Sequence, residues 1–553
     1  MSMRKSAPLA ALAAAALTLS ACAQSERDGS ADGGGGESGG TFTFGAAGAP
    51  EVFDPFYASD GETFRVTRQI FEGLVEVKPG SAEIGPGLAT EWEPSEDGKD
   101  WTFTLREGVK FSDGEPLNGE AVCANFERMA DQNEAAQSGP AEYWAYTTGG
   151  FGEDSIYDGC SVEGEHEVVI SVKSATSKFP AMLSLSAFAI QSPKALKEGN
   201  ANDVKAQGEG FVYPENSRNP VGTGPYLFKE YDEANKTVTI VRNDDYWGEK
   251  AKTDKIVFKI IPDESTRRQE LEAGSIDGYD LPNPVDWKGL EEAGNQVEIR
   301  DPFNILYMGM NPEANPKLKD VRVRKAINYA IDREALVKAQ LPEGATAASQ
   351  FMPEAVKGYN SDLEPYPHDV EKAKELLKEA GAEGMTLTFA YPSQVSRPYM
   401  PNPQKLHEAI ANDLTEAGIK VKATTKPWNG GYLDNVDGGK YDAWLLGWTG
   451  DYDSADNFIG TFFGNAKSND FHTVAGGFGT ELAKELKDAD TTVDEDERAA
   501  KYEALNKKIA EEYVPGAPIS HSPPALVVSE DVEGLVTSPL TAEHFSSVTV
   551  GGK

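Results

Sequence analysis

The chain has 553 residues, too many for one ordinary hydrophobic core, so its length predicts two or three domains. Its formal net charge of −38 argues against a nucleic-acid-binding protein, because a phosphate backbone would be repelled. Hydrophobic residues make up 39% of the chain, and no segment after the N-terminus is long and apolar enough to span a bilayer, which excludes a channel or a permease.

The N-terminus has the features of an export signal. Arg4 and Lys5 precede an apolar stretch that is shorter than a transmembrane helix. The stretch ends in LSAC, which resembles the lipobox of bacterial lipoproteins, so residues 1–21 are predicted to be a signal peptide and Cys22 the lipidated first residue. Residues 22–40 are then a flexible acidic Gly/Ser tether, and the protein is expected outside the cytoplasm, anchored to the cell membrane.

The cysteine count agrees with export. Of three cysteines, lipidation of Cys22 leaves Cys123 and Cys160. An even number of cysteines outside the cytosol favours a disulfide between them. In the chain-entropy model its closed loop would add about 3–4 kcal/mol to stability. Two unpaired buried thiols are the alternative.

The first half of the chain mixes strand and helix patterns. Apolar residues at helical spacing predict a helix over residues 63–74. From Asn219 the sequence reads NPVGTGPY, whose glycines and proline are typical of a turn that leads into a strand. Alternating or continuous apolar runs predict strands at residues 41–44, 101–106, 168–172, 226–231, 236–242 and 256–261.

The second half alternates helices with strands, which indicates a second α/β domain. Asp320 and Asp369 are suited to cap the first two of three predicted helices. The helices are predicted at residues 320–338 and 369–380 and around 406–414, and strands at 385–390 and 419–423. Residues 443–448 form a nearly unbroken apolar run, which suits a strand buried on both faces in the centre of a parallel sheet.

A polar stretch follows this last strand abruptly. In open α/β sheets, ligands bind just beyond the carboxyl ends of the strands. Asp451 is therefore a candidate ligand-binding carboxylate, flanked by Trp448 and Tyr452. The alternative for Asp451 is a turn cap, and the alternative for Trp448 is core packing.

Six blocks, in order along nearly the whole chain after the tether, resemble the extracytoplasmic solute-binding proteins of peptide-type ABC importers (family 5). The resemblance implies an α/β, type II periplasmic-binding-protein fold, with two lobes that close around a hinge and an extra subdomain in the first lobe. It implies a binding protein rather than an enzyme, without a cofactor. The blocks are QIFEGLV from Gln69, PGLATEW from Pro86, WTFTLREGVKFSDG from Trp101, GTGPY from Gly222, VRVRKAINYAIDR from Val321 and GWTGDYDSADNF from Gly447.

The family architecture implies a discontinuous first lobe and a continuous second one. The two hinge crossings are therefore expected near Pro262–Glu264 and near Pro518–Ser522. The extra subdomain would hold both remaining cysteines. The predicted boundaries are residues 41–62, 191–262 and 520–553 for the core of lobe I, 63–190 for its extra subdomain, and 263–519 for lobe II.

The resemblance extends to the residues that bind a dipeptide. In the dipeptide-binding branch an Asp after Trp-x-Gly binds the peptide ammonium group, and this role falls on Asp451. An Arg in an RPY-x-PN loop binds the peptide carboxylate, and the sequence SRPYMPN places this role on Arg397. Tyr399, Trp448 and Tyr452 are candidates for the pocket wall.

The chemistry of such a pair is sound. A buried zwitterion needs an opposite charge at each end, because an unpaired buried charge is costly. The planar guanidinium of Arg397 can bind both oxygens of a carboxylate. A surface salt bridge is the alternative for Arg397.

The predicted function is capture of short peptides, dipeptides foremost, and their delivery to ABC permease and ATPase subunits by a membrane-anchored monomer. The first alternative is the same fold with an oligopeptide, an oligosaccharide or a metal chelate as ligand. The six His residues are scattered without metal-ligand spacing, so no metal site is expected. Alternatives of another class are a peptide-signal receptor and a secreted hydrolase, although the sequence has no HExxH motif and no credible nucleophile elbow.

Overall fold

The computed structural model describes residues 39–208, 210–465 and 469–551, without the side chains of residues 429 and 430. The predicted signal peptide, Cys22 and all but the last two residues of the tether lie outside the described residues. Within the described part of the chain, every helix falls short of the length and apolarity that a bilayer crossing requires.

A mixed seven-stranded sheet forms the centre of the first lobe. The strand Thr41–Ala46 lies in its middle, parallel to both of its neighbours. Phe42 and Phe44 of this strand are buried in an apolar cluster of the lobe. In spatial order the strands are Tyr226–Asp232, Thr237–Arg242, Lys255–Ile260, Thr41–Ala46, Gly278–Asp280, Ala525–Val528 and Gln296–Ile299.

A mixed six-stranded sheet forms the centre of the second lobe. The strand Ala443–Thr449 lies inside it, antiparallel to Asn304–Met310 and parallel to Thr386–Ser393. Residues 443–447 are buried, as the apolar run predicts. The expectation of a parallel sheet is wrong, since parallel and antiparallel pairs occur side by side. In spatial order the strands are Thr346–Ala347, Gly516–His521, Asn304–Met310, Ala443–Thr449, Thr386–Ser393 and Lys420–Pro427.

A four-stranded antiparallel sheet with its own helices and apolar core forms the extra subdomain. Cys123 and Cys160 are joined by a disulfide, with 5.3 Å between their Cα atoms, which confirms the predicted pairing. The bond links the helix Gly119–Ala130 to an edge strand of the sheet. In spatial order the strands are Ala89–Pro94, Asp100–Leu105, Glu167–Val172 and Tyr157–Gly164.

The remaining elements cover the sheets and connect them. Short two-stranded pairs are Val75–Val77 with Ile84–Pro86, Lys205–Gln207 with Gly210–Val212, and Val532–Glu533 with Thr549–Val550. The α-helices are Gly61–Thr67, Gly119–Ala130, Glu134–Gln137, Glu142–Thr148, Phe179–Met182, Pro193–Glu198, Glu264–Glu272, Trp287–Glu292, Val321–Ala330, Arg333–Gln340, Val370–Glu379, Pro403–Glu416, Leu433–Asp437, Ile459–Phe463, Gly479–Asp490 and Glu495–Lys508.

The chain crosses from the seven-stranded to the six-stranded sheet at residues 300–303 and returns at residues 522–524. The first crossing was expected near Pro262–Glu264, and this position is wrong. The helix that follows Asp263 leads into the strand Gly278–Asp280, which belongs to the same sheet as the strand before it. The return crossing overlaps the end of the predicted segment at residue 522 and continues to residue 524.

The two crossing segments are hydrogen bonded to each other. The side chain of Asn304 donates to the carbonyl of Ser522 at 2.7 Å and accepts from its N–H at 3.1 Å. The N–H of Arg300 donates to the carbonyl of Pro524 at 2.9 Å. Two adjacent backbone segments therefore join the lobes, and such a connection suits a hinge.

The helix predicted over residues 63–74 is shorter in the structure, where it spans Gly61–Thr67. The carbonyl of Ile70 accepts a hydrogen bond from the N–H of Gly224 at 2.8 Å. This carbonyl is therefore used in a tertiary contact and not in a continuation of the helix. A Cβ at Gly222 or Gly224 would lie 2.2 Å or 2.6 Å from that carbonyl oxygen. The GTGPY block is thus a close-packing motif.

The helix predicted over residues 320–338 is two helices, Val321–Ala330 and Arg333–Gln340. Asp332 separates them, because its side chain caps the second helix. Its N–H donates to Asp413 Oδ2 at 3.0 Å, a contact with a distant helix. Tertiary contacts therefore interrupt a pattern that is continuous in the sequence.

Candidate ligand-binding site

The two loops predicted to bind the ligand follow neighbouring strands. Thr386–Ser393 precedes the loop of Arg397, and Ala443–Thr449 precedes Asp451. These strands pair in parallel, so their carboxyl ends meet at one edge of the six-stranded sheet. This is the edge at which α/β sheets bind ligands. Both predicted charged groups therefore belong to the same edge.

Glycines allow close packing at this edge. A Cβ on Gly447 would lie 2.4 Å from the ring of Tyr399, and a Cβ on Gly450 would lie 2.3 Å from the ring of Phe303. Tyr399 is 5% exposed, so its ring packs against the strand. The contact of Tyr399 with Gly447 joins the loop of Arg397 to the strand that precedes Asp451.

Asp451 has a carboxylate with weak partners. Its Oδ1 accepts from the hydroxyl of Tyr143 at 3.5 Å and its Oδ2 from the side-chain amide of Asn457 at 3.4 Å. Both distances are long for hydrogen bonds. The N–H of Asp451 donates to Asn457 Oδ1 at 2.7 Å, which holds the loop in place. Among the described residues, no Lys, Arg or His forms an ion pair with this carboxylate.

The surroundings of Asp451 disfavour its charge. Burial raises the pKa of its carboxyl to about 6, and the hydrogen bonds from Asn457 and Tyr143 offset this only in part. At neutral pH the ionised, buried carboxylate therefore lowers the stability of the folded protein. A cation bound beside it would offset this cost. Such a raised pKa at the edge of a sheet is typical of a functional group.

Arg397 is exposed at the turn of its loop. Its N–H and carbonyl pair with those of Met400 at 3.2 Å and 2.9 Å, which makes the turn tight. Its guanidinium lies 4.6 Å from the centre of the Trp428 ring, a cation–π contact. Among the described side chains no carboxylate pairs with it. The charge is thus oriented by an aromatic ring and not by an anion.

Trp448 and Tyr452 flank Asp451 in different surroundings. Trp448 is half-buried, with its ring centroid 6.3 Å from that of Tyr146, and its indole N–H has no hydrogen-bond partner in the described part of the chain. Tyr452 is 1% exposed and belongs to the apolar core of the extra subdomain. In this conformation Tyr452 packs between the lobes, and its role in the pocket wall stays a prediction.

The structure adds residues that sequence reasoning missed. Asn457 lies in the same block as Asp451, and its amide could have been recognised as a group that orders the loop. Tyr143 and Tyr146 stand three residues apart on the helix Glu142–Thr148, which puts them on one face. No sequence signal links this helix to Asp451, since 308 positions separate Tyr143 from it.

A cavity of about 530 Å³ lies beside this edge, between the extra subdomain and the second lobe. Trp101 lines it from the subdomain, and Asp453 and Tyr502 line it from the other lobe. Neither Asp451 nor Arg397 is among the residues that line it, although Asp453 belongs to the loop of Asp451. Burial and the nearby charge of Glu83 raise the pKa of Asp453 to about 7.

Metal ligation has no support in the described residues. No group of three or more His, Cys, Asp or Glu comes together there in an arrangement that could hold a metal ion. His407 is buried and bonds the carbonyl of Phe389 at 3.1 Å, and His521 bonds the carbonyl of Asn304 at 2.6 Å. These two histidines have structural partners.

Comparisons with known proteins agree on one family. Residues 83–470 match the family described as "Bacterial extracellular solute-binding proteins, family 5 Middle". The dipeptide-binding protein of Escherichia coli strain K12 is 31% identical over 92% of this chain and 94% of its own length. Heme-binding protein A of Haemophilus influenzae is 30% identical over 98% of both chains. The crystal structure of the dipeptide binding protein from Pseudoalteromonas sp. SM9913 in complex with Met-Leu gives a TM-score of 0.73 at 27% identity, over 92% of this chain and 100% of that one.

Proposed function

Because the chain belongs to the bacterial extracellular solute-binding proteins of family 5, we propose that it captures short peptides, dipeptides foremost, and delivers them to an ABC importer. Its fold is the type II periplasmic-binding-protein fold, two α/β lobes with an extra subdomain. Proteins of this family bind solutes for transport and are not enzymes.

The observation that carries the proposal is the carboxylate of Asp451. It follows the carboxyl end of the strand Ala443–Thr449, its pKa is raised by burial, and the described residues supply no cation for it. A peptide ammonium group would supply the missing charge and replace two long hydrogen bonds with a charge-assisted one. A neutral sugar would leave the charge uncompensated.

Arg397 would bind the other end of the peptide. Its loop and that of Asp451 follow adjacent parallel strands, which supports the binding of one short ligand by both. The cation–π contact with Trp428 holds the guanidinium without using a carboxylate, which leaves its N–H donors for the ligand. In this arrangement the spacing of the two charges selects the length of the peptide.

The lobes that close on the peptide follow the sheets. We assign residues 41–62, 191–299 and 525–551 to the core of lobe I and 304–521 to lobe II, with 63–190 as the extra subdomain. The crossings at residues 300–303 and 522–524 would act as the hinge. This shifts the first boundary from the one that the sequence suggests.

The protein would work outside the cytoplasm, where the family is found. The LSAC sequence supports lipidation of Cys22, and residues 22–40 would tether the lobes to the membrane. The partners would be the permease and ATPase subunits of the importer, with a monomer as the working form. Metabolic labelling with palmitate tests the anchor, since a Cys22→Ser variant should lose the label.

Calorimetry on ligand-stripped protein tests the two-charge clamp. Dialanine should bind, while N-acetyl-dialanine and dialanine amide should each lose about 2–5 kcal/mol, since one buried charge is left unpaired. Asp451→Asn should cause the first loss and Arg397→Ala the second. Asp453→Asn, two residues along the same loop, is the matched control and should bind like the wild type.

Several results would contradict the clamp. Tight binding of both blocked dipeptides, or indifference to Asp451→Asn, would remove it. If longer peptides are the ligands, Arg397→Ala should have little effect and tetra-alanine should outcompete dialanine. Mass spectrometry of the ligand that co-purifies with the native protein separates peptides from heme, sugars and chelates.

A further inference from the structure

The extra subdomain contacts the second lobe through a short polar segment, residues 176–178. Lys178 Nζ lies 2.8 Å from Asp456 Oδ2, and the two side chains are 21% and 18% exposed. Thr176 Oγ1 and Ser177 Oγ each donate to Asp490 Oδ1 at 3.0 Å. The N–H of Ser177 donates to the backbone carbonyl of Asp490 at 2.9 Å. Three consecutive residues thus bind two acidic residues of the other lobe.

Apolar and hydroxyl contacts surround this segment. Tyr452 of the second lobe is buried in the apolar core of the subdomain. The hydroxyl groups of Tyr146 and Thr461 lie 2.8 Å apart, again across the two lobes. None of these contacts involves the charged groups of Asp451 or Arg397.

The charges in the segment depend on one another. Burial by itself would lower the pKa of Lys178, but the charge of Asp456 and its hydrogen bond raise it above the usual value. Burial and the charge of Asp456 raise the pKa of Asp490, while Lys178 acts in the opposite direction. The charge of Lys178 therefore offsets the repulsion between the carboxylates of Asp456 and Asp490, where the second lobe contacts the subdomain.

We propose that residues 176–178, together with Asp456 and Asp490, form a latch that stabilises the closed lobes without contacting the ligand. Ligand release requires the lobes to separate, so the latch sets the residence time of whichever solute the cleft holds. The choice of dialanine as probe rests on the proposed function, but the latch itself does not. The extra subdomain is then part of the closing mechanism and not only an appendage.

The test uses the full-length, ligand-stripped protein and two readouts. Lys178→Met removes the cation from a segment that lies outside the Asp451 loop, and Asp456→Asn removes its partner at constant shape. The matched control is Lys194→Met, because Lys194 and Glu115 form a pair at 3.8 Å with both side chains 47% exposed. Hydrogen exchange over residues 176–182 reports the latch directly, and stopped-flow release of dialanine reports residence time.

Both latch variants should exchange severalfold faster over residues 176–182 and release dialanine about tenfold faster, with little change in the association rate. The double variant should lose no more than Lys178→Met alone, since removing the charge of Asp456 also removes a carboxylate that the loss of Lys178 leaves unpaired. Unchanged exchange and unchanged release would overturn the latch. If dialanine fails to bind the wild type, the proposed function fails, and hydrogen exchange alone still decides the latch.

Discussion

Two carboxylates near strand ends of the two large sheets have opposite surroundings. Asp280 ends a strand of the seven-stranded sheet and lies between the guanidinium groups of Arg65 and Arg300, with Arg300 Nη1 2.6 Å from its Oδ1. Burial alone would raise the pKa of Asp280, but Arg300 and Arg65 hold it well below its usual range. Within the described part of the chain Asp451 has no such cation, and burial raises its pKa to about 6.

The difference teaches how to separate a structural carboxylate from a binding one. Arg300 also pairs with Glu543 at 2.6 Å and lies on the first crossing segment, so the network around Asp280 ties the C-terminal region to the hinge. Its charges are compensated from within the protein. Under the proposed function, the charge of Asp451 is compensated by the ligand instead.

Arg300→Met should cause the largest effect. It leaves the carboxylates of Asp280 and Glu543 buried with one cation fewer, which typically costs about 3–5 kcal/mol of folding stability. Chemical unfolding at neutral pH measures the loss. Lys288→Met is the control, because the pair of Lys288 with Glu292 is exposed and should contribute little. If the two variants were equally stable, Arg300 would not stabilise the buried carboxylates, and Asp280 would not differ from Asp451 in this respect.

The pH dependence of binding gives an intermediate effect. In the proposed clamp a peptide ammonium group binds the ionised form of Asp451, and burial raises the pKa of this carboxyl to about 6. The affinity for dialanine should therefore fall about tenfold between pH 7 and pH 5, while the termini of the peptide keep their charges over that range. Calorimetry at several pH values measures this. A flat profile for the wild type would place the ammonium group elsewhere.

Asp451→Asn should have the smallest effect on stability, and of opposite sign to Arg300→Met. The folded-state pKa of Asp451 lies above its unfolded value, so the ionised wild type is penalised above about pH 6 and recovers stability as the pH falls toward 4. The variant should be more stable by about 1 kcal/mol at pH 7.5, and the difference should vanish near pH 4. Thermal unfolding of ligand-free protein measures it. A less stable variant would mean that Asp451 is structural.

Local sequence patterns predicted many elements of the fold. The strands at 41–46, 100–105 and 443–449 have apolar runs or alternation that any sheet would bury, so their existence did not depend on distant partners. The cap at Asp369 was predictable for the same reason, since its side chain bonds an amide three residues ahead. The disulfide followed from the number of cysteines left after export.

Two predictions were wrong where tertiary contacts override a local sequence pattern. The helix around Asp332 was predicted as continuous, because the hydrogen bond from its N–H to Asp413 has no local signature. The first crossing was expected near Pro262–Glu264 because the family architecture requires the chain to leave the first lobe, and this segment follows a predicted strand. A segment after a strand fits both a crossing and a return to the same sheet. Which one occurs depends on strand pairing over long distances.

The family blocks in the sequence determined the class of fold, and the cysteine count predicted the pairing of Cys123 with Cys160. The same blocks and the SRPYMPN loop suggest Asp451 and Arg397 for the ligand, because such motifs are local in the sequence. Only the tertiary structure decided that Asp451 lies beside Tyr143 and that Lys178 pairs with Asp456. These contacts join residues 308 and 278 positions apart. They exist because two separate lobes come together, and no local pattern encodes which surfaces meet.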